Sequence, residues 1–217
     1  MTRQIRDFSF SGLYAITDSG FKGERLATQV ERAIVGGARV IQYRDKGGNP
    51  DTRYREASEV LSTCRSHGIP LLINDDIELA EAIGADGVHI GREDATLEKA
   101  RALLGNTAIV GVSCYNRIEL AFAAQRAGAD YVAFGRFFSS ESKPEAIQAS
   151  PGLLLEARAK LDCPLVAIGG ITAQNGRPLI EAGADMLAVI RGVFAAPDVT
   201  AAAHSISRLF SDPENHA

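Results

Sequence analysis

Gly84-Ala85-Asp86-Gly87-Val88-His89-Ile90 is one of four copies of the same short pattern, in which Gly-Ala and a polar residue lead into an apolar run. The other copies begin at Gly37-Ala38-Arg39, Gly128-Ala129-Asp130 and Gly183-Ala184-Asp185. A second set of apolar runs falls between them: Leu13 to Ile16, Leu71 to Ile73, Ala108 to Val112 and Leu165 to Ile168. Interleaved, the two sets give eight strands, each followed by a helical stretch. Roughly 27 residues per strand-helix unit suits a compact α/β fold, a single (β/α)8 TIM barrel. The runs are continuously apolar instead of alternating, as parallel strands buried on both faces require. A doubly wound open sheet or two smaller βα domains would also use such units. Eight regular units covering almost the whole chain favour the closed barrel.

A chain of 217 residues suits one domain, with its core over about 11–210 and a frayed tail over 211–217. A formal net charge of −4 leaves no electrostatic footprint for nucleic acid or an anionic membrane, so any cationic cluster must be local and aimed at a small anion. The longest apolar stretches are strand-length, too short to span a bilayer. Met1 to Phe10 carries charges without an apolar core, unlike a secretory signal. Cys64, Cys114 and Cys163 lie far apart and read as reduced, buried thiols of a cytoplasmic protein. The four histidines show no zinc-type spacing.

In a barrel of this kind the chemistry collects at the C-terminal ends of the strands. Strand two, Arg39 to Tyr43, leads into Arg44-Asp45-Lys46. Alternation puts Gln42, Arg44 and Lys46 on one face, two cations beside an amide, suited to a phosphate ester and a heterocycle edge. Pairing of the two cations with Asp45 or Asp18 is the competing use. Asn74-Asp75 after strand three and Asp94 after strand four would neighbour each other, and one or two carboxylates with substrate phosphate oxygens is how Mg²⁺ is usually held. Against this, Asp75 stands three residues before Glu78 in capping-box spacing, and Asp94 precedes a helix as a cap would.

The long polar segment from Arg136 to Ser150 contains Ser139-Ser140-Glu141-Ser142-Lys143, a candidate phosphate clamp or a plain solvent loop. Gly169-Gly170 after strand seven and Ile190-Arg191-Gly192 after strand eight stand where barrels often take a phosphate monoester on backbone N–H groups, with a helix expected to start at Thr172-Ala173-Gln174-Asn175. Ser113 reads as a hydrogen-bonding residue, since no histidine is near it in sequence. His89, inside an apolar strand, reads as a satisfied core residue. Each close cation is worth up to about 4 kcal/mol to an anion at an effective dielectric near 20, so Arg44, Lys46, Lys143 and one Mg²⁺ would balance a diphosphate locally.

Taken together these motifs resemble the thiamine phosphate synthase (thiamine-phosphate pyrophosphorylase) family. The resemblance runs from Leu13-Tyr14-Ala15-Ile16-Thr17-Asp18 through Gln42-Tyr43-Arg44-Asp45-Lys46, Ile73-Asn74-Asp75, Asp86 to Asp94 and Gly111-Val112-Ser113. It continues over Gly128 to Gly135, Ser142-Lys143, Ala167 to Ile171 and Val189-Ile190. It implies that Gln42, Tyr43, Arg44, Asp45, Lys46, Asn74, Ser113 and Lys143 bind an aminopyrimidine diphosphate, with Arg44, Lys46, Ser113 and Lys143 serving catalysis. It further implies that Asp75 and Asp94 hold Mg²⁺. Ser140, Glu141, Ser142, Gly170, Ile190 and Arg191 would take a thiazole phosphate. The implied reaction joins the two halves into thiamine monophosphate and releases diphosphate by a dissociative route. The implied partners are small molecules, with no nucleic acid and no membrane; whether the chain forms a homo-oligomer is not legible.

Several positions depart from the commonest pattern: Arg92 for Gln, Arg136 for Pro, Ser140 and Ser142 for Thr, and Arg191 for Ser. Three rivals compete with the synthase. A thiazole tautomerase of the same superfamily would lack the second acidic metal residue and carry a histidine after strand five, where this chain has Asp94 and Tyr115. A non-catalytic sensor of thiamine intermediates would not need leaving-group machinery. An aldolase or sugar-phosphate isomerase barrel would want a base or Schiff-base lysine within a strand, whereas Lys46 and Lys143 lie past strand ends.

Overall fold

The computed structural model describes residues 9–17, 20, 24–91, 96–139 and 148–211. Eight strands occupy Gly12–Ile16 (β1), Ala38–Tyr43 (β2), Leu71–Asn74 (β3), Gly87–Ile90 (β4), Ile109–Tyr115 (β5), Tyr131–Gly135 (β6), Leu165–Ile168 (β7) and Met186–Val189 (β8). They pair in chain order, all parallel, and β1 closes on β8 from Gly12 opposite Met186 to Ala15 opposite Val189. The expected closed (β/α)8 barrel is therefore the fold. The helices among the described residues are Glu24–Val35 (α1), Pro50–His67 (α2), Ile77–Ile83 (α3), Leu97–Leu104 (α4), Ile118–Arg126 (α5), Pro151–Arg158 (α6), Arg177–Glu181 (α7), Arg191–Phe194 (α8) and Val199–Ser207 (α9). Of the tail over 211–217 that the sequence reads as frayed, 212–217 lie outside the described residues.

Strand alternation sorts the core into two layers. Tyr14, Val40, Leu72, Ile109, Tyr131, Val166 and Met186 form a cluster inside the barrel. The residues between them along each strand, such as Leu13, Ile41, Ile73, Val132 and Leu187, pack outward with the helices. In α1, Leu26, Val30, Ala33 and Ile34 are buried as their helical spacing requires. Of the expected apolar face of α2, Ala57, Val60 and Leu61 are buried, but Tyr54 at its first turn is 49% exposed. Cys64 and Cys114 are buried and Cys163 is half-buried, all three as free thiols; burial pushes the Cys114 thiol up to about 12.

The repeated Gly-Ala-Asp pattern has a single physical cause. The glycine ends the preceding helix in a left-handed conformation, with φ of 67° at Gly84, 89° at Gly128 and 105° at Gly183. The alanine N–H then donates back into that helix, from Ala85 to Ala80, Ala129 to Ala124 and Ala184 to Leu179. The aspartate enters the barrel at its N-terminal face, where its carboxylate accepts a backbone N–H from the preceding strand. Asp86 takes that of Leu71 at 2.8 Å, Asp130 that of Val110 at 2.7 Å and Asp185 that of Leu165 at 2.7 Å. An arginine from the preceding even-numbered helix covers each turn: Arg65 on the Gly84 carbonyl, Arg101 on Gly128 and Asp130, Arg158 on Gly183 and Asp185. The first copy has Arg39 in the aspartate's place, with its stem against Gly12.

These clamps belong to stability, at the end of the barrel away from the strand C-termini. Asp130→Ala leaves the Val110 N–H without its acceptor and Arg101 without its carboxylate. It is expected to lower unfolding free energy by about 1–3 kcal/mol in urea titration. An unchanged midpoint would remove the clamp from the stability account.

Candidate active site

The C-terminal ends of the strands enclose a cavity of about 650 Å³. Its wall includes Gln42, Arg44 and Lys46 from β2 and the loop after it, Asn74 and Asp75 from the end of β3, and Ser113 from β5. Gly169, Gly170 and Thr172 follow β7, and Ile190, Arg191 and Gly192 follow β8. Segments distant in sequence thus bring three cations, a carboxylate, two side-chain amides and two hydroxyls into one mouth.

Local hydrogen bonds explain how several of these groups are held. Buried Thr17, just past β1, accepts the Arg44 N–H on its hydroxyl at 2.8 Å and donates toward the Arg44 carbonyl at 3.3 Å. This double link fixes the backbone from which Arg44 projects. At the end of β3 the competing use of Asp75 as a helix cap is resolved in favour of its neighbour. Asp76 is the N-cap of α3, accepting the Leu79 N–H at 2.8 Å, and it also pairs with Arg53 at 2.8 Å. Asp75 stands one residue earlier with φ of 65°, its backbone N–H donating to the His89 carbonyl at 2.8 Å. The Asn74 amide donates to the Asp75 carboxylate, and both side chains face the cavity. Likewise the cap of α4 is Thr96, which accepts the Lys99 N–H. Asp94 itself, with Ser140, Glu141, Ser142 and Lys143, lies outside the described residues.

Three expectations need correction. Tyr43 and Asp45 do not line the cavity, because alternation sends them away from the face that carries Gln42, Arg44 and Lys46. Tyr43 is buried on the helix side and donates to Glu56 at 3.1 Å, while Asp45 accepts the Gly47 N–H at 3.2 Å. No helix starts at Thr172. Asn175 folds back, accepting the Thr172 N–H at 2.7 Å and donating to the Gly170 carbonyl at 3.0 Å, which makes a turn; α7 begins only at Arg177. The short helix that does start at the rim is α8, directly after Ile190.

Four residues outside the expected site, Tyr14, His89, Tyr115 and Arg136, also line the cavity, as does Ser139 at the start of the expected clamp. His89 is hydrogen-bonded on both ring nitrogens, so it is satisfied as expected, but its partners are Tyr131 and cavity-facing Ser113. The signal was available: Tyr14, Gln42, His89 and Ser113 share inward parity once β1 to β8 are closed into a ring. Among the described residues no group of three or more His, Cys, Asp or Glu side chains forms a ready-made metal cage. One carboxylate at the rim, Asp75, matches a hydrated Mg²⁺ completed by substrate oxygens better than an all-protein site.

Comparison with known proteins points the same way as the geometry. A family model described as thiamine monophosphate synthase matches residues 13–193. The chain is 52% identical over 204 residues to a thiamine-phosphate synthase of Thiobacillus denitrificans, covering 94% of this chain and 97% of the relative. It is 51% identical over 199 residues to one of Chromobacterium violaceum, covering 92% and 96%. Among solved structures it is similar to a thiamine phosphate pyrophosphorylase from Pyrococcus furiosus, with a TM-score of 0.85 and 32% identity over 94% of this chain and 96% of that one.

The division of labour between the neighbouring aspartates is open to test. Asp76→Ala should accelerate hydrogen exchange across α3 and cost about 1–2 kcal/mol of stability, on the scale of a lost N-cap. Unaltered exchange at Leu79 would return the capping role to Asp75.

Proposed function

The chain belongs to the thiamine monophosphate synthase family and has the transferase activity of that family, and on this footing we propose how the cavity carries it out. The aminopyrimidine diphosphate binds with its ring against Gln42 and its diphosphate toward Arg44, Lys46, Asn74 and Ser113. The thiazole phosphate takes the rim formed by Gly170, Ile190 and Arg191. Ser140, Glu141, Ser142 and Lys143 complete the two phosphate sites. The carrying observation is that Gln42, Arg44, Lys46, Asn74, Asp75 and Ser113 share one cavity with Gly170, Ile190 and Arg191.

No covalent nucleophile is required. The pyrimidine's 4-amino group pushes electron density into the ring as the methylene C–O bond breaks, and diphosphate leaves with the bonding pair. The resulting methylene cation is captured by the thiazole nitrogen, whose lone pair forms the new C–N bond, giving thiamine monophosphate. The guanidinium of Arg44 and the ammonium of Lys46 face the charge that grows on the departing oxygens. The backbone that carries Arg44 is held by Thr17 before the bond breaks, so its charge stabilises the departing group with little reorganisation. The two anion sites hold nucleophile and electrophile in line, which removes an entropic part of the barrier. Asp75 and Asp94 would hold Mg²⁺, which when bound supplies further positive charge to the diphosphate.

Tyr115 at the end of β5 supports the synthase reading over the tautomerase, whose resemblance would place a histidine there. Buried, unpaired Cys64 and Cys114 suit the reducing cytoplasm, where we place the reaction.

Mixing both phosphorylated precursors with the protein and Mg²⁺ should yield thiamine monophosphate and diphosphate in equal amounts; neither product forming would overturn the reading. Asp75→Asn keeps a residue that tolerates positive φ, so the fold should survive while turnover drops about 100-fold. Undiminished turnover in that variant would remove Asp75 from the metal site.

A further inference from the structure

Five polar side chains form one unbroken hydrogen-bonded chain across the interior of the barrel. Gln42 Nε2 donates to the Tyr14 hydroxyl at 2.6 Å. The Tyr14 and Tyr131 hydroxyls lie 2.9 Å apart, Tyr131 Oη lies 2.8 Å from His89 Nδ1, and His89 Nε2 lies 2.8 Å from Ser113 Oγ. Five different strands supply these residues: β2, β1, β6, β4 and β5. The two ends, Gln42 and Ser113, are both assigned to the pyrimidine substrate above. Tyr131, at the centre of the chain, is 0% exposed and lies behind the cavity wall, which Tyr14 and His89 help to line. Gly111 makes room for it: a Cβ there would sit 2.3 Å from the Tyr131 hydroxyl. The Phe10 ring lies against the Tyr131 ring, with centroids 5.5 Å apart.

A hydrogen-bonded chain has a direction, because each hydroxyl carries one proton. Either hydroxyl can donate in the bond between Tyr14 and Tyr131. The sense in which Tyr14 donates is the one that gives its proton an acceptor, because its other neighbour in the chain, Gln42 Nε2, is itself a donor. The Tyr131 proton then goes to His89 Nδ1. An accepting Nδ1 places the ring proton on Nε2, which donates to Ser113 Oγ. The proton of Ser113 is left for the cavity. Burial raises the pKa of both tyrosines, so the phenols keep their protons through the neutral range.

We propose that Tyr14, Tyr131 and His89 are positioning residues that lock His89 as the Nε2–H tautomer and so present Ser113 to the substrate as a hydrogen-bond donor. The inference rests on the reading that Ser113 faces the pyrimidine diphosphate. Run in the opposite sense, the chain would turn a serine lone pair toward the charge that grows on the leaving group as the bond breaks. Held in the stated sense, the donor is set before substrate arrives.

The first measurement is the ¹⁵N spectrum of histidine-labelled wild-type protein without substrate, with His89 assigned by its loss in His89→Gln. The expected result is a ring protonated on Nε2 and bare on Nδ1. Tyr131→Phe removes the donor to Nδ1, so both tautomers should appear. Its kcat should fall about 10-fold while KM for each substrate stays within about twofold, the size of one misdirected hydrogen bond. Tyr131→Phe combined with Ser113→Ala should be no slower than Ser113→Ala alone. If Tyr131→Phe does not fold, Tyr14→Phe interrupts the chain one step earlier. A wild-type His89 carrying its proton on Nδ1, or strictly additive losses in the double variant, would overturn the proposal. The tautomer is read without turnover. A wrong tautomer in an active synthase sinks only the positioning chain, whereas the right tautomer in a protein that makes no thiamine monophosphate sinks the proposed function, and with it the substrate facing Ser113, but leaves the tautomer lock standing.

Discussion

Closure of β1 on β8 is the constraint from which everything else follows. Once eight parallel strands form a ring, each residue's parity decides whether it faces the helices or the axis, and its height decides whether it meets the floor or the mouth. Ile41 and Ile73 pack outward; Val40 and Leu72, one position away, fill the axis. One layer higher on the same inward parity stand Gln42 and Asn74, which line the cavity. A shift of one residue in any strand would exchange a substrate-facing group for a core group. The site is therefore no more independent of the barrel than the core is.

The two ends of the ring carry different duties. At the N-terminal end the aspartates Asp86, Asp130 and Asp185 are spent on backbone N–H groups, each turn covered by an arginine. At the C-terminal end, Arg44, Lys46 and Asp75 face an open cavity. The formal net charge of −4 thus says little about the partner, because the cations that matter are selected by position, not by number. A protein acidic overall can hold an anionic leaving group where a few positive side chains converge on it.

Much of this was legible in the sequence for a physical reason. The Gly-Ala-Asp pattern recurs because a left-handed helix end, a back-bonded alanine and an inward aspartate are used at the same place in every second unit, so its period spans two strands. Gln42, Arg44, Lys46, Asn74 and Ser113 could be found because they end apolar runs. Tyr43 and Asp45 were misplaced because a contiguous motif hides the alternation of side chains. Asp75 and Asp76 could not be told apart by spacing, since either could cap α3; backbone geometry decided it in favour of Asp76. The inward parity of Tyr14, Gln42, His89 and Ser113 was legible, but their hydrogen-bonded order was not, because it joins five strands across the axis and no sequence interval records which inward residues meet there. The turn at Thr172 to Asn175 was misread because an Asn side chain can replace the first turn of a helix.

The most direct test of the shared rim is a backbone amide shift map of the wild-type protein titrated with the aminopyrimidine diphosphate and Mg²⁺. A common mouth requires the large changes to fall together at Arg44 to Lys46, Asn74–Asp75 and Ser113, with Asp86, Asp130 and Asp185 at the far end left unmoved. Shifts centred on that far end, or restricted to one of the three segments, would contradict it.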